Sequence, residues 1–186
     1  MTLSLPNLLS LLRMGLIPLF VIEVLRGEPF KALLVFAVAG LSDALDGFLA
    51  RVLDQRSLLG AYLDPIADKL LLMTAFIVLT VQGTSTAGVQ IPVWVTVLVI
   101  ARDVLVVVVA LALALAVGRR DFPPSALSKV NTVFQVVGVL LVLLSGLDRR
   151  FNVLALGALY GAATLTVLSG IGYILRANRM VAEVGE

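Results

Sequence analysis

Residues 42–69 read SDALDGFLARVLDQRSLLGAYLDPIADK and place four carboxylates, Asp43, Asp46, Asp64 and Asp68, inside otherwise apolar sequence. A carboxylate in or near hydrocarbon is costly, and its presence there marks a functional position. Four together cannot all stay ionised unless cations share the site. The chain contains no His and no Cys. It therefore offers no imidazole or thiolate, and an all-carboxylate donor set suits a hard divalent ion, Mg²⁺ or Mn²⁺.

The spacing is helical. Asp43, Asp46, Gly47, Ala50 and Arg51 fall at i, i+3, i+4, i+7 and i+8, and Gly60, Asp64 and Asp68 at i, i+4 and i+8. Each set forms one face of a helix. With residues 52–59 turning the chain, an antiparallel helix pair can aim all four carboxylates into one cavity. Gly47 and Gly60 carry no side chain and would let a ligand approach the backbone closely. Arg51 lies about two turns from Asp43, where a guanidinium suits a phosphate or neutralises the acids. Together these groups point to metal-assisted phosphoryl transfer, with two divalent ions polarising a pyrophosphate and a carboxylate accepting the proton of an attacking hydroxyl.

Working outward, 60% of the 186 residues are hydrophobic and the mean hydropathy is +1.09. Soluble domains are about 45–50% apolar, so the chain is read as an integral membrane protein. A span needs about 20 apolar residues, and six candidates are legible, at 10–26, 30–52, 60–82, 91–117, 127–147 and 151–175. Residues 1–9, with Pro6, form a short interfacial segment leading into the first. The expected fold is all-α and polytopic, a single membrane domain over 1–186 with no internal repeat. A net charge of +2 without a basic face excludes nucleic acid as a partner. The N-terminus lacks a basic leader and a cleavage site and is expected to be retained.

Six spans put both termini on one side. That side would carry Arg13, Arg51, Arg56, Arg119, Arg120, Lys129, Arg176 and Arg179, against Arg26, Lys31, Arg149 and Arg150 on the other. Eight cations against four favour cytoplasmic termini. The aspartate segment then opens to the cytoplasm, at the ends of the second and third spans.

The stretch from Asp43 to Asp68 reads D-x2-D-G-x2-A-R-x8-G-x3-D-x3-D, eight specified residues across 26 positions. It resembles the signature of the CDP-alcohol phosphotransferases. The resemblance implies a six-helix membrane enzyme, usually a homodimer, that displaces CMP from a CDP-linked lipid or alcohol. It also implies roles: Asp43, Asp46 and Asp64 as metal ligands, Asp68 on the second metal and as general base, and Gly47, Ala50, Arg51 and Gly60 shaping the CDP pocket.

LPNLLSLLRMGLIPLF at 5–20 is similar to the opening of phosphatidylglycerophosphate synthases and CMP-forming cardiolipin synthases. Both use CDP-diacylglycerol; the acceptor is glycerol 3-phosphate in the first and phosphatidylglycerol in the second. The first group usually carries A-R-E with a further Arg in the fourth helix, then G-K-x-K-T. Here the chain has IARDVLVVVVALALAL and LSKVNTVFQ, with Asp103 for the Glu, no further Arg, and Asn131 for the second Lys. These segments look more like cardiolipin synthases. Phosphatidylglycerol, a monoanionic diester, also needs fewer cations than a phosphomonoester. The cations expected near acceptor or phosphate are Arg13, Arg102 and Lys129, with Asn7 beside them, and the apolar run Val104–Val117 suits an acyl-lined groove.

Blander readings exist for several of these residues. Arg102 and Asp103 could pair locally to hold the fourth helix, Asn7 and Arg13 could cap and anchor an interfacial helix, and Lys129 and Asn131 could be helix-entry residues. Gly170 and Gly172 read as close-packing positions. A rival function, a cation transporter or proton relay, would spread acids over several depths, whereas 127–175 holds only Asp148. The expectation is a phosphatidyltransferase in a bacterial inner membrane that makes cardiolipin and CMP, with phosphatidylglycerophosphate synthase as the alternative.

Overall fold

A computed structural model describes residues 5–52, 58–81, 88–117 and 126–182, with side chains over 11–42, 66–81, 88–109 and 127–176 and at 178. Six α-helices follow one another: α1 (Leu5–Leu25), α2 (Pro29–Val52), α3 (Leu58–Val81), α4 (Val93–Val117), α5 (Ala126–Ser145) and α6 (Asn152–Ala182), with one 3₁₀ turn at Arg149–Phe151. No strand occurs among the described residues. Each candidate span overlaps one helix. The N-terminal expectation changes: residues 5–9 belong to α1, and residues 1–4 lie outside the described residues. Pro6 permits this because a first-turn residue needs no N–H donor.

Two described helices are long and apolar enough to cross a membrane by length and composition, Leu127–Ser145 and Arg149–Arg176; Pro29–Ser42 is a shorter apolar stretch. Several polar side chains are buried among the described helices while many large apolar ones are exposed. Arg13, Glu23, Asn131, Gln135, Thr166 and Ser169 are buried, while Leu34, Val38, Leu41, Ile77, Val97 and Val133 are exposed. The interior is otherwise apolar, and large apolar side chains facing outward are what hydrocarbon stabilises.

The chain divides into two compact units, Met1–Ile91 with Val139–Ala155, and Pro92–Gly138 with Leu156–Glu186. In the first, α1 packs on α2 and α3, and α2 on α3. Ala32, Phe36 and Ala39 form a buried stripe on α2, and Ala67, Leu71, Ala75 and Leu79 form one on α3. The alanines permit close backbone approach where lipid supplies no hydrophobic drive. Phe20 of α1 fills the space beside α2, its ring 5.7 Å from that of Phe36.

The α1–α2 corner is a Schellman cap. Gly27 N–H donates to the Val24 carbonyl and Glu28 N–H to the Glu23 carbonyl, both at 3.0 Å. Gly27 sits at φ 71°, the left-handed region that glycine enters without a Cβ clash. The Glu28 carbonyl then accepts from Ala32 N–H, with Pro29 as the first residue of α2. At the far end of α3, Gln90 donates to the Thr80 carbonyl at 2.7 Å and Val89 N–H to Ser145 Oγ at 2.9 Å.

In the second unit, Trp94 of α4 and Tyr160 of α6 pack with ring centroids 5.9 Å apart and planes tilted by 34°. A Cβ on Gly161 would come within 3.0 Å of the Phe134 ring, so Gly161 lets α5 and α6 approach there, whereas one on Gly138 would meet Leu159 at an ordinary 3.6 Å. A Cβ added at Gly170 would meet the stem of Arg102 at an ordinary 3.8 Å, and one added at Gly172 would meet nothing within 4 Å, so neither position requires glycine for close packing.

Candidate active site

Both halves of the aspartate signature are helical. Asp43, Asp46, Gly47, Ala50 and Arg51 lie on α2, and Gly60, Asp64 and Asp68 on α3. Since α2 and α3 pack together in one unit, helical periodicity keeps each set on one face of its helix. Of these residues only Asp68, half-buried beside the buried Ala67, has a described side chain. The side chains of the other seven, that of Asn7 on α1, and residues 53–57 lie outside the described residues.

Among the described side chains no three His, Cys, Asp or Glu come together, since three of the four aspartates lie outside that set. The donor chemistry nonetheless fits a hard divalent ion. It is carboxylate only, two residues per helix at one-turn spacing on packed neighbours. Arg13 belongs to the same unit and is fully buried, at 0% exposure. A buried guanidinium within apolar helices is itself a mark of function.

The second unit holds a polar seam of its own. Arg102 on α4 donates from Nη1 to Asp103 Oδ1 at 2.7 Å, from Nη2 to Ser128 Oγ on α5 at 2.6 Å, and from Nε to Ser169 Oγ on α6 at 3.1 Å. Its side chain is 9% exposed. The local Arg102–Asp103 pair is therefore present, and one rigid fork joins three helices. Arg102 also lines a groove of about 260 Å³ between α4 and α6, with Thr166 and otherwise apolar residues such as Leu98, Leu105 and Ile171. Lys129 is exposed in the first turn of α5. Asn131 is buried, and its Oδ1 accepts from Thr166 Oγ1 at 3.1 Å. It is a partner of α6 rather than a solvated helix-entry residue.

Sequence reading passed over Ser128, Gln135, Thr166 and Ser169. Ser, Thr and Gln occur singly in many spans, and their alignment appears only when α4, α5 and α6 are packed. Gln135 alone carried a usable signal, a lone amide in the apolar run VFQVVGVLL.

An all-helical chain with outward apolar faces and paired carboxylates on two packed helices is the frame of a membrane-bound transferase of phosphate groups. The chain belongs to the CDP-alcohol phosphatidyltransferase family, whose sequence model matches residues 3–169. It is similar to a probable phosphatidylglycerophosphate synthase of Mycobacterium tuberculosis, 34% identical over 97% of this chain and 85% of the relative. It is also 34% identical to the CDP-diacylglycerol–glycerol-3-phosphate 3-phosphatidyltransferase of Haemophilus influenzae, over 94% of this chain and 93% of that one. The CMP-forming cardiolipin synthase of Streptomyces coelicolor is 34% identical too, over 96% of this chain and 85% of that protein. The chain is thus a CMP-forming phosphatidyltransferase of membrane phospholipid synthesis, and the transporter reading is set aside.

Proposed function

We propose that the chain transfers the phosphatidyl group of CDP-diacylglycerol to phosphatidylglycerol, giving cardiolipin and CMP. The observation that carries this reading is the complete eight-residue signature on two packed helices, joined to acceptor segments, Asp103 and Asn131, that hold fewer cations than a phosphomonoester acceptor needs. Relatives named for each acceptor match at the same 34% identity, so the choice of acceptor rests on those segments.

Enzymes of this family generally depend on a divalent metal. Two Mg²⁺ or Mn²⁺ ions held by Asp43, Asp46, Asp64 and Asp68 would supply Lewis-acid polarisation of the pyrophosphate and charge neutralisation on the departing CMP. Gly47, Ala50, Arg51 and Gly60 line the CDP moiety, the glycines by leaving room and Arg51 by pairing with phosphate. Asp68 takes the proton of the acceptor hydroxyl as its oxygen bonds to the lipid-side phosphorus and the bond to CMP breaks. Asn7, Arg13, Arg102 and Lys129 bind the phosphates of donor and acceptor. Arg102 is held in place by Asp103, Ser128 and Ser169, a preorganised cation that needs no reordering on binding.

The same reading makes the chain one catalytic domain with six spans. Both termini and the aspartate site face the cytoplasm at a bacterial inner membrane, and the functional form is a homodimer. Thin-layer analysis of products from CDP-diacylglycerol tests the acceptor, with phosphatidylglycerol and glycerol 3-phosphate offered separately. Cardiolipin from the first is the expected product. Phosphatidylglycerophosphate from the second, with no cardiolipin, would establish the phosphatidylglycerophosphate synthase alternative.

A further inference from the structure

Asn131 and Gln135 stand four residues apart on α5, on one face of the helix, and are 1% and 3% exposed. Asn131 Nδ2 and Gln135 Nε2 are buried without a hydrogen-bond partner. A buried orphan donor carries its full desolvation penalty, and in hydrocarbon no water offsets it. Two such donors one turn apart on a single helix call for a ligand that enters and leaves.

We infer that the Asn131–Gln135 pair binds the glycerol hydroxyls of the acceptor. This deepens the proposed function and rests on it. The surroundings select the ligand chemistry. Among the described residues no cation is bonded to the pair: Arg102 reaches Ser128, one turn before Asn131, and Ser169, one turn beyond Thr166. Neutral amides cannot neutralise a phosphate, so an uncharged oxygen suits them better. A hydroxyl also both donates and accepts. Either orientation of the Asn131 carboxamide against Thr166 leaves one polar atom over, and a hydroxyl satisfies either one.

Asn131 is bonded to a residue of the groove wall. Thr166, which donates to Asn131, also lines the groove between α4 and α6 together with Arg102. The carboxamide therefore lies one hydrogen bond behind a groove wall whose polar end carries a guanidinium. At 1.5 Å per residue, Asn131 and Gln135 lie about 7.5 and 13.5 Å from the first residue of α5, which is the cytoplasmic end in the proposed topology. An acceptor phosphate paired with Arg102 in the groove would leave its glycerol hydroxyls to reach the amides past Thr166. Both candidate acceptors, phosphatidylglycerol and glycerol 3-phosphate, present such hydroxyls, so this inference does not depend on which is used.

The test uses the purified full-length protein in detergent micelles with CDP-diacylglycerol and whichever of the two acceptors wild type consumes. In Gln135→Met and Asn131→Leu the half-saturating acceptor concentration should rise about two- to tenfold, the effect of one neutral hydrogen bond. The half-saturating CDP-diacylglycerol concentration should stay within about twofold. Gln135→Met should also hold or raise the melting temperature, because it removes an unpartnered buried amide. Acceptor half-saturation within twofold of wild type, donor and acceptor values rising together, or collapse of the fold in Gln135→Met would each overturn the inference. The wild-type product decides the acceptor independently of these variants. A wild type that consumes neither acceptor would remove both readings at once.

Discussion

The α2–α3 pair and the α4–α5–α6 seam do different work with different residue types. On α2 and α3 the proposed chemistry rests on four like charges at helical spacing. The seam relies on one guanidinium, two amides and three hydroxyls drawn from three helices, and most of these groups are bonded to one another. The contrast follows from what each region must do. Carboxylates that gather cations have to be charged and close, and that combination is unstable without its ligand. A surface proposed to hold a lipid headgroup within apolar helices needs shape and polar groups that the headgroup can satisfy, which neutral residues provide at lower cost.

The comparison predicts separable phenotypes, and the largest belongs to the aspartates. Asp68→Asn should lower kcat by about 10²–10⁴-fold, the usual contribution of a positioned general base, while equilibrium binding of CDP-diacylglycerol persists. Turnover near wild type in that variant would remove the base from α3 and blur the distinction between the two regions.

Arg102 gives the next effect, and it is mainly structural. Arg102→Leu leaves Asp103 without its 2.7 Å partner and unties Ser128 and Ser169. Breaking a buried pair on one side costs about 3–5 kcal/mol, and a thermal melt in detergent should show a fall of that order. Arg102→Lys keeps the charge but not the planar fork, so it should recover only part of the loss. Full recovery by Lys would mean that charge, rather than the three-way hydrogen bonding, holds the seam.

The smallest effect lies outside both regions and serves as a control. Gly27→Ala forces a Cβ into the left-handed conformation at φ 71° and should cost about 1 kcal/mol. The melting temperature should drop a few degrees, with half-saturation for donor and acceptor unaltered. A change in acceptor half-saturation would show that the α1–α2 corner is tied to headgroup binding.

The sequence alone determined the helical class, the family and the residues of the aspartate signature. Hydrophobic runs of about 20 residues specify helices in hydrocarbon because each backbone group must be satisfied within its own segment. The signature is legible because its members are close in sequence and their i, i+3 and i+4 spacing survives any packing of the helix that carries them. Only the tertiary structure decided the seam. Arg102 and Ser169 are 67 residues apart, and Asn131 and Thr166 are 35 apart. Neither pairing leaves a periodic trace in one dimension. The sequence offered Arg102 as a local partner of Asp103 or as an acceptor or phosphate contact; packing shows the local pair and adds links to Ser128 and Ser169 that the sequence did not suggest. The guanidinium has enough donors for both, and the folded helices bring both sets of acceptors within 3.1 Å.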